Sequence, residues 1–100
     1  MNYLSKYLIE EAAAITSSAK NLNDLEVSKA LKLLDNCYEN NLKLIVSGVG
    51  KSGIVARKIA ATFSSVGLTS IFLNPLDALH GDIGIVNKND LCILLSNSGE

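Results

Sequence analysis

The chain has 100 residues, 48% hydrophobic and 19% charged, with nine Lys and Arg against ten Asp and Glu, for a formal net charge of −1. That balance gives nucleic acid or an anionic membrane surface nothing to attract, so neither is expected as a partner. A chain of this length buries roughly 60% of its unfolded surface or a little more, enough for a small globular core that a partner can complete.

Tyr3 to Ile9 is interrupted by Lys6 and halted by Glu10 and Glu11 before a signal-peptide core can form, and no apolar stretch reaches bilayer length. Leu4, Leu8, Ala12 and Ile15 recur at steps of four, four and three, which predicts an amphipathic helix over residues 3–19. Asn21, Asn23 and Asp24 break that pattern. Asn23 and Glu26 stand at capping-box spacing, and Val27, Ala30, Leu31, Leu34 and Tyr38 line one side of a second helix, which Glu39 to Asn41 end. Both helices are read as elements that cover a core. Cys37 and Cys92 lack C-x-x-C spacing and are read as reduced, buried thiols, in keeping with a cytoplasmic protein.

The stretch KLIVSGVGKSGIVARKIA, residues 43–60, organises the rest. Leu44, Ile45 and Val46 form a continuous apolar run suited to a strand covered on both faces. Gly48, Gly50 and Gly53 then mark a tight turn, and Ile54, Val55, Ile59 and Phe63 follow at helical spacing. A glycine-rich turn entering a helix offers backbone N–H groups to an anion, phosphate first among them. Gly50 belongs to that cradle, Lys51 adds a mobile cation within the loop, and the Ser52 hydroxyl suits either a helix cap or a ligand oxygen.

After the helix over residues 52–65, in which Arg57 and Lys58 are expected to be solvated, Gly67 supplies a stop. Thr69 to Leu73 reads as a second strand, Asp77 to Leu79 as one helical turn, and Leu91 to Leu95 as a third buried strand. Strands separated by helical connections predict an α/β fold with a parallel, doubly wound sheet. Helices occupy residues 1–42 and the sheet begins at residue 43. The ligand crevice of such a sheet lies beyond the carboxyl ends of its strands, at residues 48–52, 74–82 and 96–100.

Spacing separates the candidate loop types. The Walker A pattern would place its first glycine at Ile45, which disfavours a nucleotide triphosphatase. Gly48, Gly50 and Gly53 match G-x-G-x-x-G, but about 20 residues on, where a ribose-binding acid belongs, the chain has Leu73, Asn74 and Pro75. A nicotinamide-dependent oxidoreductase is therefore a lesser alternative. Ser96, Asn97, Ser98 and Gly99 form a hydroxyl- and amide-rich turn able to donate to phosphate oxygens. His80 is the one histidine, set within ALHGDIG, and suits either a structural or a substrate-binding role.

GVGKSG, followed by IVARKIAATFSSVG, FLNPLDALHGDIGIV and SNSGE, resembles the SIS (sugar isomerase) domain of the D-arabinose 5-phosphate isomerase family. The resemblance is detailed over residues 40–100 and implies the incomplete first part of a three-layer, Rossmann-like domain with about five strands when whole. It implies an aldose–ketose isomerase interconverting D-arabinose 5-phosphate and D-ribulose 5-phosphate for Kdo and lipopolysaccharide synthesis, without a cofactor. It assigns phosphate binding to Ser96, Asn97, Ser98 and Gly99, sugar-phosphate contact to His80, and catalytic importance to Lys51. Asp82 belongs to the same motif as His80 with no role assigned.

The family's two catalytic glutamates and second histidine lie at later positions, so residues 1–100 alone are expected to be inactive. Many relatives carry a metal-binding histidine where this chain has Asn74, and an amide is a poor zinc ligand, so no metal site is expected. The expected partners are a small sugar phosphate and further copies of the chain, as a dimer or tetramer. A non-catalytic phosphosugar-binding module is the main alternative.

Overall fold

The computed structural model describes residues 2–97, in the order α1 (Tyr3–Lys20), α2 (Asp24–Glu39), β1 (Leu44–Gly48), α3 (Lys51–Ser65), β2 (Ser70–Phe72), α4 (Pro75–Leu79), a 3₁₀ turn (Asp82–Ile85) and β3 (Leu91–Leu95). Contacts divide it into two compact units, the first ending at Leu31 and the second beginning at Lys32.

In the first unit α1 is capped by Asn2, whose side-chain oxygen accepts from the Ser5 N–H at 2.8 Å. The Asn23 side chain accepts from the Glu26 N–H at 3.0 Å, so half of the expected capping box is present. The predicted apolar stripe of α1 exists, but Leu4, Leu8 and Ile15 are all more than half exposed. Helical periodicity set the element without setting its burial.

In the second unit β1 is central in a parallel sheet of order β2-β1-β3. All five of its residues are buried, as the Leu44–Ile45–Val46 run requires. Fully burying side chains of this size stabilises a fold by about 1.5–3 kcal/mol each. Leu44 and Val46 face the main core with Leu68, Cys37 and the small residues Ala56 and Ala60 of α3; Leu91, Ile93, Leu95 and Phe72 pack around them. Ile45 and Ser47 alternate to the other face.

Three expectations need correction. The buried residues of α3 are Gly53, Ala56 and Ala60, whereas Ile54 and Val55 are exposed at 69% and 52%. Close helix–strand packing selects small residues at these positions, and Ile54 and Val55 turn outward, while Ile59 and Phe63 further along α3 pack against the core. Along β3 exposure alternates, with Cys92 and Leu94 outward, so this strand is covered on one face and Cys92 is an exposed thiol. Arg57 is exposed, yet its guanidinium sits 4.1 Å from the centroid of the Phe72 ring and is not simply solvated.

The connections are short and locally capped. Gly67, at φ +97°, turns the chain out of α3 as its position predicts. Asn74 caps α4 through a 2.9 Å bond from the Leu76 N–H, with Pro75 at the first helical position. That helix begins earlier than the predicted turn at Asp77. At the start of the sheet Asp90 accepts from Lys43 Nζ at 2.5 Å, from the Lys43 N–H at 3.2 Å and from the Asn87 N–H at 2.7 Å, tying β1 to β3. The Lys43 ammonium foremost holds the Asp90 carboxyl below the usual range, whereas burial pushes the Cys37 thiol up.

Candidate functional site

At the carboxyl end of β1 the glycines have separable tasks. A Cβ on Gly53 would lie 2.7 Å from the Gly48 carbonyl oxygen, and one on Gly48 would lie 2.8 Å from the Ser52 backbone. The pair thus lets α3 start directly against the strand end. Gly50 has φ +63° and ψ −128°, a conformation that side chains resist, and it forms the N-cap of α3 without a side-chain bond.

Because Gly50 is the cap, Ser52 lies inside the first turn, and the capping alternative for its hydroxyl falls away. Lys51 is the first helical residue rather than a loop residue. The first intrahelical bond runs from the Ile54 N–H to the Gly50 carbonyl at 3.2 Å, leaving the preceding N–H groups at the positive end of the helix dipole.

Two overlapping clefts, of about 500 and 650 Å3, open beside this turn. Ser52, Val49, Leu95, Ser96 and Asn97 line both. Lys51 lines the larger, while Ser47 and Pro75 line the smaller. They lie between the ends of β1 and β3, where a sheet of order 2-1-3 has its topological switch point and where such sheets bind ligands. The fold therefore brings together Lys51, Ser52, Ser96 and Asn97, which are far apart in sequence.

The other candidates are placed differently. Gly50 lines a separate recess of about 240 Å3 with Arg57, Phe72 and Asn74. His80 ends α4 as an exposed C-cap and is not among the described residues lining either cleft. Ser98 and Gly99 lie outside the described residues. Ser47 was not singled out by motif reasoning, although a lone hydroxyl inside the apolar run LIVSG was the available signal.

A family model for the SIS domain matches residues 38–100. The chain belongs to the SIS family. The Arabinose 5-phosphate isomerase KpsF of Escherichia coli O6:H1 (strain CFT073) is 44% identical over 93 residues, covering 93% of this chain and 28% of that protein. The Arabinose 5-phosphate isomerase KdsD of Francisella tularensis is 41% identical over 80 residues, 80% of this chain and 24% of that protein. The chain thus spans under a third of the length of these curated relatives. A solved structure of an E. coli CFT073 protein in complex with arabinose 5-phosphate is 40% identical with a TM-score of 0.82, covering all of this chain and 54% of that one. That similarity extends the match to the helices preceding the SIS segment. The SIS assignment agrees with the parallel sheet and with a ligand crevice at its carboxyl end.

Proposed function

We propose that this chain is the N-terminal part of an arabinose 5-phosphate isomerase, interconverting D-arabinose 5-phosphate and D-ribulose 5-phosphate in the supply of sugar for Kdo and lipopolysaccharide. Residues 43–100 form the first part of its phosphosugar-binding domain, behind the helices of residues 1–42. The observation that carries the reading is the convergence of a helix start, a lysine and a Ser–Asn turn on one crevice in a SIS chain. The similarity of KpsF, KdsD and the protein solved with arabinose 5-phosphate supports the choice of sugar.

In this reading the phosphate rests on the N–H groups of the α3 start, the Ser52 hydroxyl and the polar groups of residues 96–99. All of these are donors matched to phosphate oxygens. Isomerisation removes the C2 proton of the aldose, passes through an enediolate and returns a proton to C1. Lys51 stabilises the negative charge on the enediolate oxygens. His80, which stands outside both clefts in this structure, is a second catalytic candidate on the family resemblance alone, and the proton-transferring carboxylates come from later residues of the full-length protein. The protein works in the cytoplasm as a homo-oligomer; among the described residues no helix is long and apolar enough to cross a membrane.

The test is Lys51→Ala in the full-length protein, following exchange of the C2 proton of arabinose 5-phosphate in deuterated buffer. kcat falls by about 10²–10³-fold with a smaller effect on substrate binding. A change confined to KM makes Lys51 a phosphate anchor, and absence of exchange in the parent protein favours a non-catalytic phosphosugar module.

A further inference from the structure

Ser47 is the one polar residue in the buried part of β1, 7% exposed, and its hydroxyl lies 2.6 Å from the Leu73 carbonyl oxygen. A carbonyl has no proton to give, so Ser47 is the donor and its single proton is committed to Leu73. What the Ser47 oxygen can offer anything else is its lone pairs. Ser47 lines the smaller cleft together with Leu94, its register partner on β3, and with Pro75, just beyond Leu73. Both β-strand residues face the same side of the sheet, because paired residues of parallel strands point the same way.

The two overlapping clefts together therefore carry two kinds of polar wall. Ser52, Lys51, Asn97 and the helix start supply donors, which suit phosphate oxygens. Ser47, locked by Leu73, supplies an acceptor, which repels a phosphate oxygen and suits a hydroxyl proton. We propose that Ser47 is a specificity-determining residue of this cleft, accepting a hydrogen bond from a sugar hydroxyl and fixing which end of a phosphosugar lies over β1. This rests on the phosphosugar reading above and deepens it by giving the ligand a direction: phosphate toward α3, Ser96 and Asn97, hydroxyls over the end of β1. The same bond joins the ends of β1 and β2, so the acceptor is held still by the backbone it serves.

The experiment is a calorimetric cycle on the full-length protein with arabinose 5-phosphate, its monodeoxy analogues and inorganic phosphate. Ser47→Ala weakens arabinose 5-phosphate by about three- to tenfold, the fold-change of one neutral hydrogen bond, and leaves inorganic phosphate unchanged. One monodeoxy analogue loses the same factor against the parent protein, and Ser47→Ala binds that analogue and the intact sugar alike, as a coupled pair requires. If Ser47→Ala fails to fold, Ser47→Cys completes the cycle, since a thiol of similar size is a weak acceptor. Equal losses for sugar phosphate and inorganic phosphate, or additive effects across every analogue, overturn the assignment. A parent protein that binds neither ligand overturns the phosphosugar reading, and the role of Ser47 falls with it.

Discussion

At its beginning, β1 is joined to β3 by charge: Asp90 takes hydrogen bonds from Lys43 Nζ and from two backbone N–H groups, and its side chain is only 3% exposed. At its far end, β1 meets α3 through the contact of Gly48 with Gly53, where no side chain intervenes. The first arrangement satisfies a charge with groups of its own chain and is closed. The second brings a helix start and a lysine up to a crevice and leaves them facing it. One strand thus separates the work of fixing register from the work of presenting donors, and the two ends should answer differently to mutation and to pH.

The largest expected effect is at the glycine contact. In an ordinary helix interior Gly→Ala stabilises by about 1 kcal/mol. For Gly53→Ala the sign reverses, because the new Cβ meets a backbone oxygen at 2.7 Å and neither partner is a flexible side chain. A loss of about 1–3 kcal/mol follows from overpacking of this kind. Thermal unfolding measures it, and an unchanged or raised Tm would show that the helix start can move away from β1. Ligand binding should fall with it, since the same displacement moves Lys51 and Ser52.

Asp90 tests the other end. Its folded pKa is depressed, so its contribution is present above the ordinary carboxylate pKa of about 4 and is lost as pH falls toward the lower folded value. The parent's Tm therefore declines on acidification through that window, and Asp90→Asn declines less steeply. Parallel Tm curves would mean that the Lys43–Asp90 pair does not hold the register of β1 and β3. Gly53→Ala, in contrast, should lower Tm by the same amount at every pH.

How much of this was readable beforehand depended on whether the cause was local. The Leu44–Val46 run, the Asn23 cap and the Gly67 stop are each specified within a few residues, and each appears where the sequence places it. The crevice was legible as motifs at strand ends, because a parallel sheet gathers its carboxyl ends on one edge. Burial was less legible where it depends on a neighbour. Ile54 and Leu94 look like core residues by pattern, but α3 approaches too closely for the former and β3 is covered on one face only. The locked hydroxyl of Ser47 depends on a contact with Leu73 that no spacing rule encodes, whereas the turn over Asp82–Ile85 is closed by local backbone bonds and was not read.

The smallest expected effect is at Arg57, beside the glycine contact. Its guanidinium lies over Phe72, whose ring edge would stand 3.8 Å from a Cβ on Gly53, so the stack covers the same helix–strand approach from outside. Arg57 is exposed, and cation–π pairs at exposed sites contribute about 0.5–1 kcal/mol. Arg57→Ala should cost about that much, Phe72→Leu should cost more through lost packing, and the double variant should recover part of the sum. If instead the two losses simply add, the stack contributes nothing and Arg57 is an ordinary solvated charge, as its sequence position alone predicts. Should the coupling vanish at low pH together with the Asp90 contribution, the two ends of β1 would not be independent. Because the stack shares no residue with the Lys43–Asp90 tie, its coupling should instead persist through the acid window in which that tie is lost.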